Sequence, residues 1–238
     1  MSLLSLREVT AGYGRVNVLH GVTLDVPEGT VVAILGPNGV GKTTTMGVIS
    51  GMLPVRDGDV VFDGRSIKRV SPDRRARIGI TLIPEGRGIF PGLSVEDNLG
   101  LASTPATRLE PKQREANLRY VYDLFPRLSE RRAQRAGTLS GGEQQMLSLS
   151  RALLSDPRVL LMDEISMGLA PRIVAELFDA VAQMREQGHT IVLVEQYLTH
   201  ALRLADICYV MTRGRIAFVG EPAELRGTTS LAGYLTAS

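Results

Sequence analysis

An α/β fold is predicted for this 238-residue chain from three features. Short apolar runs alternate with stretches of helical periodicity. Several runs are apolar throughout, as strands covered by helices on both faces must be. One of them, Val31-Val32-Ala33-Ile34-Leu35, passes through a glycine-rich turn directly into a helix-forming run.

In chain order, residues 4–9 and 18–26 alternate apolar and polar with period two and read as strands. Between them Ala11-Gly12-Tyr13-Gly14 is a turn that presents one aromatic, and Pro27-Glu28-Gly29 closes the second strand. The helix that opens at Thr44 is ended by Gly51 and Pro54, and residues 58–64 form a short strand with its turn. Residues 78–84 are a further apolar strand, halted at Pro84-Glu85-Gly86. From 94 to 135 the pattern is helical. Ser94 is suited to cap the start, and Leu118, Val121, Tyr122 and Phe125 fall on one apolar stripe that reads as a core face. Ser140-x-x-Glu143 fits a capping box and starts a helix running to about Leu154. Residues 159–164 are a near-continuous apolar strand ending in two carboxylates, Asp163 and Glu164. A helix over 171–187 stops at Gly188, a buried strand follows at 190–194, and a short helix at 197–205. Residues 207–211 and 215–219 flank Thr212-Arg213-Gly214 as a hairpin, and the last residues read as a soft tail. The length predicts one domain over 1–238, with a helical lobe at about 90–145 inserted between β/α units.

The turn after residue 35 reads Gly36-Pro37-Asn38-Gly39-Val40-Gly41-Lys42-Thr43, followed by Thr44. Strand, glycine-rich turn and helix together form a phosphate-binding loop. Glycines let backbone N–H groups point inward, and the helix N-terminus adds unsatisfied donors and partial positive charge. Lys42, one of only three lysines, stands where it reaches the β- and γ-phosphates, and the Thr43 hydroxyl stands where it takes up Mg²⁺. Asp163, about 120 residues further on, matches an aspartate that helps to hold that ion, and Glu164 is placed to polarise an attacking water.

Composition excludes other classes. Hydrophobic residues make up 44% and charged residues 22%, as in a soluble globular protein, and a net charge of +2 gives no footprint for nucleic acid. The arginines at 127–135 read as a solvated helix face. The single cysteine, Cys208, lies in an apolar run and rules out an internal disulfide framework, which suits a reducing compartment. No signal segment is visible, and no stretch of about 18 apolar residues would cross a membrane. His20, His189 and His200 read as ordinary surface residues.

The turn at 36–43, Leu139-Ser140-Gly141-Gly142-Glu143-Gln144-Gln145 and Leu160-Leu161-Met162-Asp163-Glu164 stand in the order and at the spacing of an ABC transporter ATPase subunit, which the chain resembles over essentially its whole length. The resemblance implies a P-loop ATPase core with an N-terminal antiparallel β subdomain and an inserted α-helical subdomain. ATP and Mg²⁺ would be its cofactors, with nucleotide held by residues 36–44 and stacked on Tyr13. Ser140, Gly141, Gly142 and Glu143 would meet the γ-phosphate held by a second subunit, in a head-to-tail pair with another copy or a homologous ATPase. Mg²⁺ would be held by Thr43, Asp163 and the residue after Pro84.

Two positions depart from the general family pattern. Glu85 replaces the usual glutamine, and Gln196 stands where a switch histidine is usual. A glutamine donates through its amide but takes no proton at neutral pH. Pro84-Glu85-Gly86-Arg87, Gly168-Leu169-Ala170-Pro171 and Val194-Glu195-Gln196 resemble the second ATPase subunit of branched-chain amino acid importers; importers of urea or short amides are close relatives. This implies two membrane permease subunits, an indirect periplasmic solute-binding protein and a place on the cytoplasmic face of the membrane. Two other classes stay open: a non-transport ABC ATPase of DNA repair or translation, and a regulatory subunit without turnover. The absence of long coiled coils or zinc clusters weighs against the first. Lys42, Asp163 and Glu164 weigh against the second.

Overall fold

The centre of the fold is β3 (Val31–Leu35), buried along its whole length in a six-stranded sheet. A computed structural model describes residues 2–102, 110–195 and 198–226. In it β3 lies between β8 (Thr190–Val194) and β9 (Ile207–Thr212), parallel to both. Parallel β7 (Val159–Asp163) and β6 (Ile80–Ile83) extend the sheet beyond β8, and β10 (Arg215–Gly220) pairs antiparallel with β9 at the other edge. Period-two alternation sorts the central strands between two cores. Val31, Ala33, Leu35, Leu160, Met162, Ile191 and Leu193 face one, and Val32, Ile34, Val159, Leu161, Val192 and Val194 face the other. Strands buried on both faces can be apolar at every position.

The second core lies between this sheet and an antiparallel one, ordered β2 (Leu19–Pro27), β1 (Ser2–Ala11), β4 (Asp57–Phe62) and β5 (Arg65–Ser66). α1 (Lys42–Ser50) runs between the two, with Met46, Val48 and Ile49 buried. It ends at Gly51, whose φ of 82° is the left-handed cap glycine adopts without strain. α2 (Pro72–Arg77) follows β5.

The first core is covered by α6 (Gly141–Leu153) and α7 (Pro171–Glu186), each burying an apolar stripe. The lobe between β6 and α6 carries α3 (Val95–Ala102), α4 (Pro111–Leu124) and α5 (Pro126–Glu130). Ser94 caps α3: its hydroxyl accepts from the Asp97 N–H at 3.0 Å. Val121 and Phe125 are buried, while Leu118 and Tyr122 pack at the margin of the core. The hairpin expected at 212–214 joins β9 and β10. α8 (Leu198–Leu204) and α9 (Pro222–Arg226) complete the described chain. The soft tail lies outside the described residues.

Three expectations need correction. His200 stacks on Phe178 with ring centroids 4.7 Å apart, and His189 lies parallel to Tyr120 at 6.5 Å, so neither is an ordinary surface residue. Nor is the arginine run at 127–135 simply solvated. Arg131 pairs with Glu143 at 3.0 Å, and Arg132 lies over the Tyr122 ring at 4.3 Å.

Candidate functional site

The turn that leaves β3 wraps around its own lysine. Lys42 Nζ donates to the carbonyls of Gly36 at 2.9 Å and Pro37 at 3.0 Å, and the side chain is only 4% exposed. Gly36 is required there, because a Cβ would stand 2.4 Å from the Met211 carbonyl oxygen. Gly41 has φ 109° and its Cβ would strike Leu19, so the last residue before α1 must also be glycine. Gly36, Pro37 and Val40 thus frame the loop, while Asn38, Gly39, Gly41, Lys42, Thr43 and Thr44 line a cleft of about 430 Å³.

Two carboxylates, Glu85 and Glu164, line this cleft, and a third, Asp163, is hydrogen-bonded to Thr43 beside it. Asp163, 3% exposed at the end of β7, accepts a hydrogen bond from the Thr43 hydroxyl at 3.2 Å. Burial is the main cause that pushes its carboxyl up to about 6. Glu164 and Glu85 add to the rise, and Thr43 and Lys42 oppose it. Glu164 lies 4.0 Å from Lys42 Nζ and faces the cleft, as does Glu85. Burial holds Lys42 below the usual lysine range, with Glu164 and Asp163 pulling the other way. Tyr13, 57% exposed, stands at the mouth with Val18. A flat aromatic outside, a cradle of N–H groups and a buried lysine within, and carboxylates at the inner end fit a nucleoside polyphosphate with its cation.

The corner at Ser140 is built separately. Its hydroxyl accepts from the Glu143 N–H at 3.3 Å, and the Glu143 carboxylate accepts from the Ser140 N–H at 2.9 Å and from its hydroxyl at 2.8 Å. Burial alone would raise the Glu143 carboxyl, but these two donors and Arg131 hold it below the usual range. Glu143 is 5% exposed and committed to this cap, so it shapes the corner rather than offering a free group. None of Ser140, Gly141, Gly142 and Glu143 lines the cleft formed by residues 36–44.

The ABC transporter sequence model matches residues 19–166. This chain belongs to the ABC transporter family. It is 41% identical over 223 residues to the high-affinity branched-chain amino acid transport ATP-binding protein BraG of Pseudomonas aeruginosa, covering 94% of each chain. It is 36% identical to the probable branched-chain amino acid transport ATP-binding protein LivF of Archaeoglobus fulgidus, again over 94% of each. Among solved structures, the ADP conformation of an ATP-binding cassette of an ABC transporter matches with a TM-score of 0.85. It is 26% identical, covering 98% of this chain and 97% of that one.

In this ABC transporter chain the fold therefore brings Tyr13, the 36–44 loop, Glu85 and Glu164 to one cleft, sets Asp163 beside it on Thr43, and keeps the Ser140 corner apart from it. Gln196 lies outside the described residues. Sequence reading missed two links. Arg87 donates to Gln144 Oε1 at 2.5 Å and lies over Gly141, joining the loop after β6 to the start of α6. Glu195 accepts from both the N–H and the hydroxyl of Ser166. Neither follows a local pattern, since the partners are 57 and 29 residues apart.

Proposed function

We propose that this chain is the ATP-hydrolysing subunit that energises an importer of branched-chain amino acids. The observation that carries the reading is the 41% identity to BraG across 94% of both chains, joined to a cleft that gathers Tyr13, the 36–44 loop with Lys42, Glu85 and Glu164. Tyr13 supports the adenine, residues 36–44 cradle the phosphates, and the Lys42 ammonium meets charge developing on the γ-phosphate. The Glu164 carboxylate orients a water and accepts its proton as the water attacks the γ-phosphorus, giving ADP and phosphate. Gln196 serves as a hydrogen-bond donor without carrying a proton.

Thr43, Asp163 and Glu85 offer only hard oxygen donors beside a carboxyl that burial already penalises, which suits Mg²⁺. When bound, the ion would neutralise phosphate charge while sharing its ligands with phosphate and water.

The second half of the catalytic unit is the Ser140–Gly142 corner of a head-to-tail partner, a homologous ATPase or another copy. Among the described residues no helix is long and apolar enough to cross a membrane; in this reading separate permease subunits span it, and the chain sits against them at the cytoplasmic face. A cleft of about 660 Å³ between α2, β6 and α6, lined by Ile78, Leu82, Pro84, Ala102 and Arg151, is suited to receive a short helix from a permease. A periplasmic solute-binding protein would deliver the solute on the far side.

The test is reconstitution with two permeases and their binding protein in liposomes holding ATP. Uptake of leucine, isoleucine or valine that is lost with Lys42→Ala is expected. Uptake of urea or a short amide instead, or uptake unchanged by the substitution, would overturn the assignment.

A further inference from the structure

The ends of β7 and β8 are stitched together immediately behind the hydrolytic carboxylate. The Glu164 N–H donates to the Val194 carbonyl at 2.9 Å. One residue further along, Glu195 Oε1 accepts from the Ser166 N–H at 3.1 Å, and Oε2 accepts from the Ser166 hydroxyl at 2.5 Å. Glu195 and Ser166 are each 1% exposed. Between the two links stands Glu164 with φ 48°, a left-handed backbone that L-residues rarely adopt and that persists only where the surroundings fix it.

We propose that Glu195 is a positioning residue for Glu164, gripping Ser166 so that the turn after β7 aims the Glu164 side chain into the cleft beside Lys42. The proposal rests on the reading that Glu164 handles the attacking water. In the structure both Ser166 groups donate, and the two oxygens of the Glu195 carboxylate accept them together. An amide keeps much of this grip, because its oxygen accepts from the N–H and its NH₂ donates to the hydroxyl oxygen; alanine keeps none of it. A purely packing role would be filled at lower cost by an apolar side chain, because burying a carboxylate is unfavourable unless it is hydrogen-bonded. The same turn carries Met167, which lines the cleft with Glu164, so loosening Ser166 would misplace the wall as well as the carboxylate.

The experiment measures steady-state ATPase kinetics and fluorescent-nucleotide binding of the full-length chain carrying Glu195→Ala, Glu195→Gln, Ser166→Ala or Glu195→Ala/Ser166→Ala, with Glu164→Gln as reference. Misplacing a reacting group by about 1 Å can cost on the order of a hundredfold, so Glu195→Ala is expected to lower kcat about tenfold or more. ATP KM and nucleotide affinity should stay within about threefold of the parent. Glu195→Gln, which keeps one acceptor, should recover most of the loss, and Ser166→Ala should reproduce the kcat effect from the other side of the bond. The double variant should be no slower than the worse single one, because both remove the same link. If Glu195→Ala does not fold, Ser166→Ala, which removes a single oxygen, decides alone. Unchanged kcat in these variants while Glu164→Gln is inactive would overturn the positioning role. So would a loss confined to KM, or equal loss from Glu195→Gln and Glu195→Ala. Full turnover by Glu164→Gln would instead overturn the role of Glu164 itself.

Discussion

Lys42 is held at 4% exposure by two carbonyls of its own loop and by a carboxylate 4.0 Å away, so its charge is aimed before any phosphate arrives. Lys42→Ala removes that charge and the post around which the loop curls. ATPase turnover should fall by on the order of a hundredfold or more, with weaker nucleotide binding by calorimetry; turnover within about threefold of the parent would refute the role. Asp163 makes a pH prediction. Its folded value of about 6 lies above the ordinary 3.8, so the folded chain holds this proton more tightly than the unfolded chain. The stability gained is complete below about pH 3.8, is lost as pH rises towards 6, and above 6 the ionised form is carried at a cost. With nucleotide and magnesium removed, Asp163→Asn should therefore raise Tm at pH 7.5, by the equivalent of about 2–3 kcal/mol, with almost no gain near pH 4. A gain equal at both pH values would show that burial of the charge is not its source. Gln196→Ala should slow hydrolysis less than Glu164→Gln does, since it removes a donor and not the proton acceptor; the reverse order of rates would show the two roles to be exchanged.

The loop at 36–43 and the capping box at 140–143 were legible in the sequence because each is local. Spacing, glycine and a cap residue specify them within a few positions. The strands were legible because two-sided burial writes an unbroken apolar run. What holds these elements against one another was not legible, and Arg75 is the clearest instance. It is 2% exposed, yet it stood in the sequence as one basic residue among several. In the fold its guanidinium donates to Val48 O at 2.7 Å and Ile49 O at 2.8 Å at the end of α1. It also reaches Ile67 O at 2.6 Å and Val70 O at 3.0 Å in the segment after β4. It thereby satisfies last-turn carbonyls of the helix that carries Lys42, and places a cation at the negative end of that helix. Arg75→Met removes the donor to all four carbonyls; Val48 O keeps the Gly51 N–H and Ile67 O keeps the Val70 N–H, but Ile49 O and Val70 O lose the guanidinium, at a cost of about 2–4 kcal/mol. A fall in Tm of roughly 5–15 °C is expected by calorimetry. Arg75→Lys should recover little, because an ammonium cannot span carbonyls that a planar fork reaches. Full recovery by lysine would show that charge alone matters.

Across the whole molecule, the cleft at residues 36–44 and the corner at Ser140 are separate surfaces, so neither alone encloses a nucleotide. The corner is the start of a thirteen-residue helix with two glycines, the kind of helix start that suits an anion, and it does not line the chain's own phosphate cleft. In the head-to-tail pairing proposed above, each cleft would take a corner from the opposite chain, and ATP would become part of the interface. The corner can be tested without unfolding it, but only at one glycine. A Cβ on Gly142 would stand 2.3 Å from Ile173 Cγ2 in the packed face of α7, so substitution there would disturb the helix contact itself. A Cβ on Gly141 would meet the guanidinium end of Arg87 at 2.9 Å and Leu169 at an ordinary 3.5 Å, so the far end of one long side chain must give rather than a packed core. Glu164→Gln, expected to bind ATP without hydrolysing it, should double in mass on light scattering when ATP is added. Adding Gly141→Asp sets a carboxylate where the partner's γ-phosphate would lie, and like charges repel without water to screen them. The double variant should bind ATP within about threefold of Glu164→Gln, since its own 36–44 loop is untouched, and should remain monomeric. An ATP-dependent dimer of that double variant would mean that the chains pair through some other face, with the Ser140 corner outside the nucleotide seam.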